Sequence, residues 1–238
     1  MEKEKKKIKR KLRINYKGIL FLIVFLVVAF FAVKGIFNMR IKNIVVENAK
    51  YLTDNEIIDL SGIGNYSKII SVDILKVKDN LLKTGYVDDA NIKLSLNGKV
   101  TIIVKESKPL FVNMLTGNVV LANKHEVKKT NKYIGLPTLI NYVTDENVYE
   151  ELVKGFNKID DEVIKSISEI EYSPDIKNEV TYDEYRFLLR MNDGNIVYIN
   201  TPNIKKLNEY LKIYEKIGNN GILYLDSNSS NYIYETEK

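Results

Sequence analysis

The stretch IKLSLNGKVTIIV, residues 92–104, decides the fold. Ile92, Leu94 and Leu96 alternate with polar residues before Asn97-Gly98, and Val100, Ile102 and Val104 alternate after it, the period-two pattern of two half-buried strands. Asn97-Gly98 suggests at first a two-residue type I′ turn. Parity argues against it. A loop of two residues would set Leu94 opposite Thr101 and send the apolar sets to opposite faces, which a sheet buried on one side does not permit. A three-residue loop, Leu96-Asn97-Gly98 with Gly98 left-handed, sets Leu94 opposite Val100 and Ile92 opposite Ile102. One buried face results.

Upstream of this hairpin the sequence predicts two helices and a strand. Ser71 precedes a helical stretch with Ile74, Val77 and Leu81 at 3.6-residue spacing, reinforced by Leu75 and Leu82 and ended by Gly85. Before that, Thr53 with Glu56 three residues on is a capping box, followed by Ile57, Ile58 and Leu60 and stopped at Ser61-Gly62. The segment IKNIVVE, residues 41–47, is short, rich in β-branched residues and reads as a strand. The order is strand, helix, helix, strand, strand.

Further upstream lies the longest apolar run of the chain: Ile19, Leu20, Phe21, Leu22, Ile23, Val24, Phe25, Leu26, Val27, Val28, Ala29, Phe30, Phe31, Ala32 and Val33. As a helix these residues span roughly 23 Å, and extension over 18–37 approaches the ~30 Å hydrocarbon core of a bilayer. Lys34 is tolerated because its stem can lie in apolar surroundings while the ammonium reaches the headgroups. A cleaved secretory signal is one competing reading, but no A-x-A pattern with a polar mature start follows the run. A buried core helix is another, and it would need apolar neighbours where the flanks are charged. Residues 1–17 carry nine Lys/Arg against Glu2 and Glu4, a net charge of +7, which leaves 27 basic and 29 acidic residues in the remainder. The high pI therefore belongs to the tail. Cations massed at one end of a span stay on the cytoplasmic side, so the expected topology is N-terminus in and C-terminal region out. A nucleic-acid arm is the other use of such a run, and the adjacent span disfavours it.

Three short motifs carry a family likeness: V-V-E-N at 45–48, G-Y-V-x-x-A-x-I at 85–92 and V-K-E-x-x-P at 104–109. With the basic tail, single span and element order, they resemble the POTRA module of the FtsQ/DivIB bacterial division proteins. The third motif is similar to the family's E-R-x-P exit, with Ser107 and Lys108 departing from it, and the usual proline of the hairpin loop is absent. The resemblance implies an α+β fold: one N-terminal transmembrane helix, a POTRA domain of β-α-α-β-β order and a larger β-rich domain with two helices. The expected boundaries are 1–17 for the tail, 18–37 for the span, 38–107 for the POTRA domain and 108–238 for the β domain.

The rest of the sequence suits that expectation. A hairpin is expected around Thr116-Gly117-Asn118, and G-L-P-T-L at 135–139 resembles a family L-P-x-L signature. Val148, Leu152 and Phe156 mark one stripe of a helix starting near Asp145 and ending near Ile159. Residues 167–172 read as a strand, and 185–191 with 196–199 as a hairpin around Asp193-Gly194 whose loop of two or three residues parity does not choose. Thr201-Pro202 reads as an N-cap and first helical turn, with Ile204, Leu207, Leu211 and Tyr214 on one stripe and a stop at Gly218. Residues 222–225 and 232–234 are strand-like. The long tail of some relatives is not expected after them.

No nucleotide-binding, metalloprotease or nucleophile-elbow motif occurs. There is no cysteine, and His125 is the only histidine, which excludes disulfides, thiolate chemistry and a histidine-cluster metal site. Asp160-Asp161-Glu162 reads as a solvated loop or helix start. Tyrosine is the outlier of the composition: eight of sixteen lie in residues 182–234. Packing within strands accounts for tyrosine without further function, but its ring and hydroxyl also suit interfaces. A terminal strand lies naturally at a sheet edge with unpaired backbone groups, so Tyr224, Tyr232, Ile233 and Tyr234 are the candidate partner-binding residues. The resemblance implies the same, since the family's last strands receive a segment of FtsB/DivIC. It further implies a non-enzymatic divisome scaffold in the cell membrane at the septum, with FtsL-like and DivIC/FtsB-like partners, no cofactor, no nucleic acid and no small-molecule substrate. Another POTRA-bearing binding protein of sporulation or secretion, or an anchored cell-wall hydrolase using paired carboxylates, are the alternatives.

Overall fold

The structure, a computed structural model, describes residues 15–64, 67–218, 220–227 and 233–236. Helix α1 (Tyr16–Phe37) has 22 residues, about 33 Å of rise, and buries none of its side chains. The Asn15 side chain caps it by accepting from the Gly18 amide at 3.2 Å. By length and composition it is one helix able to cross a membrane.

A three-stranded module follows, made of β1 (Asn43–Glu47), α2 (Asp54–Ser61), α3 (Ile74–Lys83), β2 (Val87–Leu94) and β3 (Lys99–Glu106). Its sheet order is β1-β3-β2, with β1 parallel and β2 antiparallel to β3. The hairpin register pairs Ile92 with Ile102 and Leu94 with Val100, across the three-residue loop 96–98. Gly98 has φ of +88°, and a Cβ there would lie 2.8 Å from the Arg40 carbonyl oxygen, so the loop needs glycine twice over. The Thr53–Glu56 capping box opens α2. Asp73, two residues beyond the expected Ser71, caps α3, because residues 69–71 form a separate 3-10 turn whose backbone bonds to the chain leaving α1. Ile57, Val77 and Leu81 of the helices meet Ala90, Ile92, Val100, Ile102 and Val104 of the sheet.

The second module is built on nine strands: β4 (Pro109–Asn113), β5 (Asn118–Leu121), β6 (Glu126–Lys128), β7 (Thr138–Leu139), β8 (Ile167–Tyr172), β11 (Arg186–Met191), β12 (Ile196–Asn200), β13 (Gly221–Tyr224) and β14 (Ile233–Thr236). A separate hairpin, β9 (Asp175–Lys177) and β10 (Val180–Asp183), precedes β11; the sequence reading assigned no strand there. The large sheet has the order β14-β13-β12-β11-β8-β7-β4-β5-β6. Helices α4 (Glu146–Phe156), α5 (Asp161–Ser166) and α6 (Tyr210–Ile217) cover its core face, so a short third helix joins the two expected. The β11–β12 loop holds three residues, since Arg190 pairs with Ile196 and the Met191 amide donates to the Asn195 carbonyl at 2.9 Å.

The segment after β12 departs from the expected stripe. Residues Thr201–Glu209 form a 3-10 helix, capped by the Asn200 side chain rather than by Thr201, before α6 begins. A 3-10 helix turns every three residues, so the buried face is Ile204, Leu207, Tyr210 and Ile213, and Leu211 stays exposed.

The two modules meet where β3 ends, beside the start of β2 and α2. The Glu106 carboxylate first fastens its own module, accepting from the amides of Lys50 (2.7 Å), Tyr51 (2.7 Å) and Leu52 (2.9 Å). Beside it, Asn123 Nδ2 of the second module donates to the Gly85 carbonyl at 2.9 Å and to Asp88 at 3.0 Å. Lys132 pairs with Glu56, and Tyr51, Tyr86 and Tyr133 share a small cluster with Val119 and Leu121.

Candidate partner-binding edge

Strand β14 is the end of the nine-stranded sheet and pairs antiparallel with β13, placing Ile233 opposite Tyr224 and Tyr234 opposite Leu223. Among the described residues no strand pairs with its far side. Tyr232 lies outside the described residues. The direction of the backbone groups follows from alternation along a strand. The Gly221 amide donates to Asn195 Oδ1 and the Leu225 amide to the Tyr198 carbonyl, so residues 221, 223 and 225 face β12. Residues 222 and 224 then face β14, where Glu235 and Ile233 meet them. The backbone N–H and C=O groups of Tyr234 and Thr236 consequently point away from the sheet, towards an edge that no described strand occupies.

The side chains divide by parity. Tyr234 turns to the core face, where its ring packs over Gly221 and its hydroxyl donates to the Ile217 carbonyl at 3.3 Å. A Cβ on Gly221 would lie 2.2 Å from that ring, so the ring holds this seat only while residue 221 carries no side chain. Ile233, 57% exposed, belongs to the opposite face. There the register forms a row across four strands, Leu188, Tyr198, Tyr224 and Ile233. Tyr198 and Tyr224 stack with ring centroids 5.2 Å apart and 11° between planes, and the Arg186 guanidinium lies 4.0 Å from the Tyr198 ring centroid. Arg186 Nε faces Asp226 at 3.0 Å. Burial, joined by the charge of Glu235, raises the Tyr224 hydroxyl above its ordinary value.

A buried polar network fixes the strand that β14 rests on. Asn195 Nδ2 donates to the Tyr210 hydroxyl at 3.0 Å and to the Gly218 carbonyl at 2.8 Å, while its Oδ1 accepts from Gly221 at 2.9 Å. The Tyr210 hydroxyl in turn donates to Asp193 at 2.7 Å. Burial, with that acceptor, pushes the hydroxyl well above its ordinary value, so it remains a donor. A satisfied network of this kind specifies one position for β13.

Of the candidates named from sequence, Tyr224, Ile233 and Tyr234 thus come together at the edge. Tyr198 and Arg186, which complete the row, were not singled out; the tyrosine enrichment pointed to the region, but their placement depends on the strand order. His125 packs over Gly85 at the module junction, and Asp161 pairs with Lys108 at 2.7 Å at the start of α5. Among the described residues no group of three or more His, Cys, Asp or Glu is arranged to hold a metal ion.

Comparison with known proteins bears on both modules. The profile of the family described as "POTRA domain, FtsQ-type" matches residues 39–107, and that of "Cell division protein FtsQ/DivIB, C-terminal" matches residues 114–228, ending ahead of β14. The cell division protein DivIB of Bacillus anthracis is 28% identical over 204 residues, 83% of this chain and 74% of the relative. DivIB of Listeria monocytogenes is 26% identical over 197 residues, covering 80% and 71%. DivIB of Enterococcus faecalis is 29% identical over 156 residues, 63% of this chain, and the match spans only 40% of that relative's length. Among solved structures, the major extracytoplasmic domain of DivIB from Geobacillus stearothermophilus is similar with a TM-score of 0.34 at 22% identity, over 48% of this chain and 92% of that one. Two adjoining family profiles, in the order of the two modules and together covering most of the sequence, settle the kinship: the chain belongs to the FtsQ/DivIB family of bacterial cell-division proteins.

Proposed function

We propose that this chain is a non-enzymatic, membrane-anchored scaffold of the division machinery, which captures a DivIC/FtsB-like partner by strand addition at β14. In this reading residues 1–17 are cytoplasmic, α1 crosses the cytoplasmic membrane, and the POTRA domain (38–107) and β domain (108–238) stand outside it at the septum. An FtsL-like protein completes the assembly, which helps control septal peptidoglycan synthesis. The observation that carries the proposal is the open edge: outward N–H and C=O groups on Tyr234 and Thr236, beside the exposed Ile233 and the Tyr198–Tyr224 stack. An extended segment laid along that edge gains backbone hydrogen bonds, and its side chains continue the row of Tyr224 and Ile233. Anchoring adds to this. Confining both partners to one membrane raises their effective concentration, so a short strand suffices for capture.

Truncation after residue 231 tests the reading. The shortened full-length chain should fail to pull down the DivIC-like partner from membranes while its POTRA domain keeps native amide dispersion. Undiminished pull-down would contradict the proposal.

A further inference from the structure

Helix α1 leads into the POTRA domain with no free linker. Only Asn38 separates it from Met39, which packs against the domain's core and whose carbonyl accepts from the Ile69 amide at 2.9 Å. Arg40 forms a backbone bridge with Lys68, Ile41 donates to the Ser67 carbonyl at 2.9 Å, and Lys42 donates to the Gly98 carbonyl at 2.8 Å. A trans chain advances at most ~3.6 Å per residue, so Lys42 lies within about 18 Å of the end of α1. Segments 38–43, 67–71 and 95–99 are therefore gathered around the mouth of the helix.

These three segments share a composition. They contain Arg40, Lys42, Lys68 and Lys99 and no aspartate or glutamate, although the chain beyond residue 17 carries more acids than bases. Two large apolar side chains stand in the open among them, Leu96 at 70% exposure on the hairpin loop and Ile70 at 51% on the 3-10 turn. Neither supports the core, and an exposed turn is ordinarily polar. Apolar tips ringed by cations match the chemistry of a bilayer interface, where the tips enter the headgroup–acyl boundary and the cations meet phosphate.

We propose that this face of the POTRA domain is a docking surface for anionic phospholipid headgroups. Leu96 and Ile70 insert beside α1, and Lys42, Lys68 and Lys99 bind the phosphates, so the domain lies on the leaflet in one orientation instead of swinging from its helix. The β domain, bonded to the far end of β3, is then held at a fixed height. The proposal rests on the reading that α1 crosses the bilayer.

The chain has no cysteine, so a single introduced one is uniquely labelled. Full-length Leu96→Cys, Ile70→Cys, Leu115→Cys and Val28→Cys variants, each carrying an environment-sensitive fluorophore, are placed in phosphatidylcholine nanodiscs with or without phosphatidylglycerol. Quenching by lipids bearing headgroup nitroxides should be strong at positions 96 and 70 only when phosphatidylglycerol is present, and weak at 115, beyond the far end of β3. Lys42→Gln with Lys99→Gln should lower the docked-to-undocked ratio roughly thirtyfold, at about fivefold per cation. Absence of quenching at 70 and 96, or quenching equal in neutral nanodiscs, would overturn the docking surface. Position 28 separates the two readings: failure of acyl-chain nitroxides to quench it would overturn the anchor, and the docking with it.

Discussion

Replacing Gly221 by alanine should unseat the last strand while leaving the rest of the β domain folded. The new Cβ would lie 2.2 Å from the Tyr234 ring, and the ring, as the far end of a side chain, is the group that yields. Its half-burial contributes about 1–1.5 kcal/mol, taken from the ~1.5–3 kcal/mol of a fully buried large side chain. Loss of the 3.3 Å bond to the Ile217 carbonyl adds about 0.5–1 kcal/mol. Alanine's lower backbone entropy in a strand offsets about 0.5–1 kcal/mol of this. The net, about 0.5–2 kcal/mol, corresponds to roughly a 2–30-fold rise in opening of β14 from β13. Amide exchange measured residue by residue should therefore accelerate by that factor at Ile233 and Glu235, with β11 and β12 unaffected. Tyr234→Ala removes the ring that the Cβ strikes, so the double variant should open no more than Tyr234→Ala alone. Unchanged exchange at Ile233 and Glu235 in Gly221→Ala, or additive effects in the double variant, would refute the steric seat.

Three further outcomes follow from the POTRA domain. Glu106→Ala leaves three amides of the β1–α2 loop without their acceptor and should cost roughly 2–4 kcal/mol in denaturant unfolding of that domain, with Glu106→Gln intermediate. Gly98→Ala meets both a left-handed φ and the Arg40 carbonyl, and should destabilise the same domain by about 1–3 kcal/mol, read as a lower denaturant midpoint. The Glu56 carboxylate is held at about 2, below its ordinary 4.5, first by the Lys132 ammonium and then by the Thr53 amide and hydroxyl. A carboxylate with a depressed folded value stabilises fully above about pH 4.5 and loses that contribution as pH falls through about 2, so Glu56→Gln should flatten the pH dependence of the melting temperature within that window.

Patterns that depend on local sequence were legible. The parity of Ile92, Leu94, Val100 and Ile102 fixed the hairpin loop, and Thr53–Glu56 fixed a helix start, because both are set by residues within one turn or one strand pair of each other. The 3-10 segment after β12 was misread because its period of three and the α period of 3.6 agree over the first turn, at Ile204 and Leu207, and diverge only at Tyr210. At the candidate site, the terminal strand was legible from its composition and position. The stack of Tyr198 on Tyr224 was not, since the two are 26 residues apart and meet only because β12 and β13 run parallel with a helical crossover between them. The Asn195 network was hidden for the same reason: its partners Tyr210, Gly218 and Gly221 reach it through tertiary structure alone.

Capture of a partner strand on β14 is measured most directly by hydrogen exchange at four successive amides of the full-length chain in membranes, with and without the DivIC-like partner. Ile233 and Glu235 already donate to β13 and should change little, whereas Tyr234 and Thr236, which face outward, should slow markedly on complex formation. A complex that forms with exchange at Tyr234 and Thr236 unaltered would place the contact elsewhere and contradict the account.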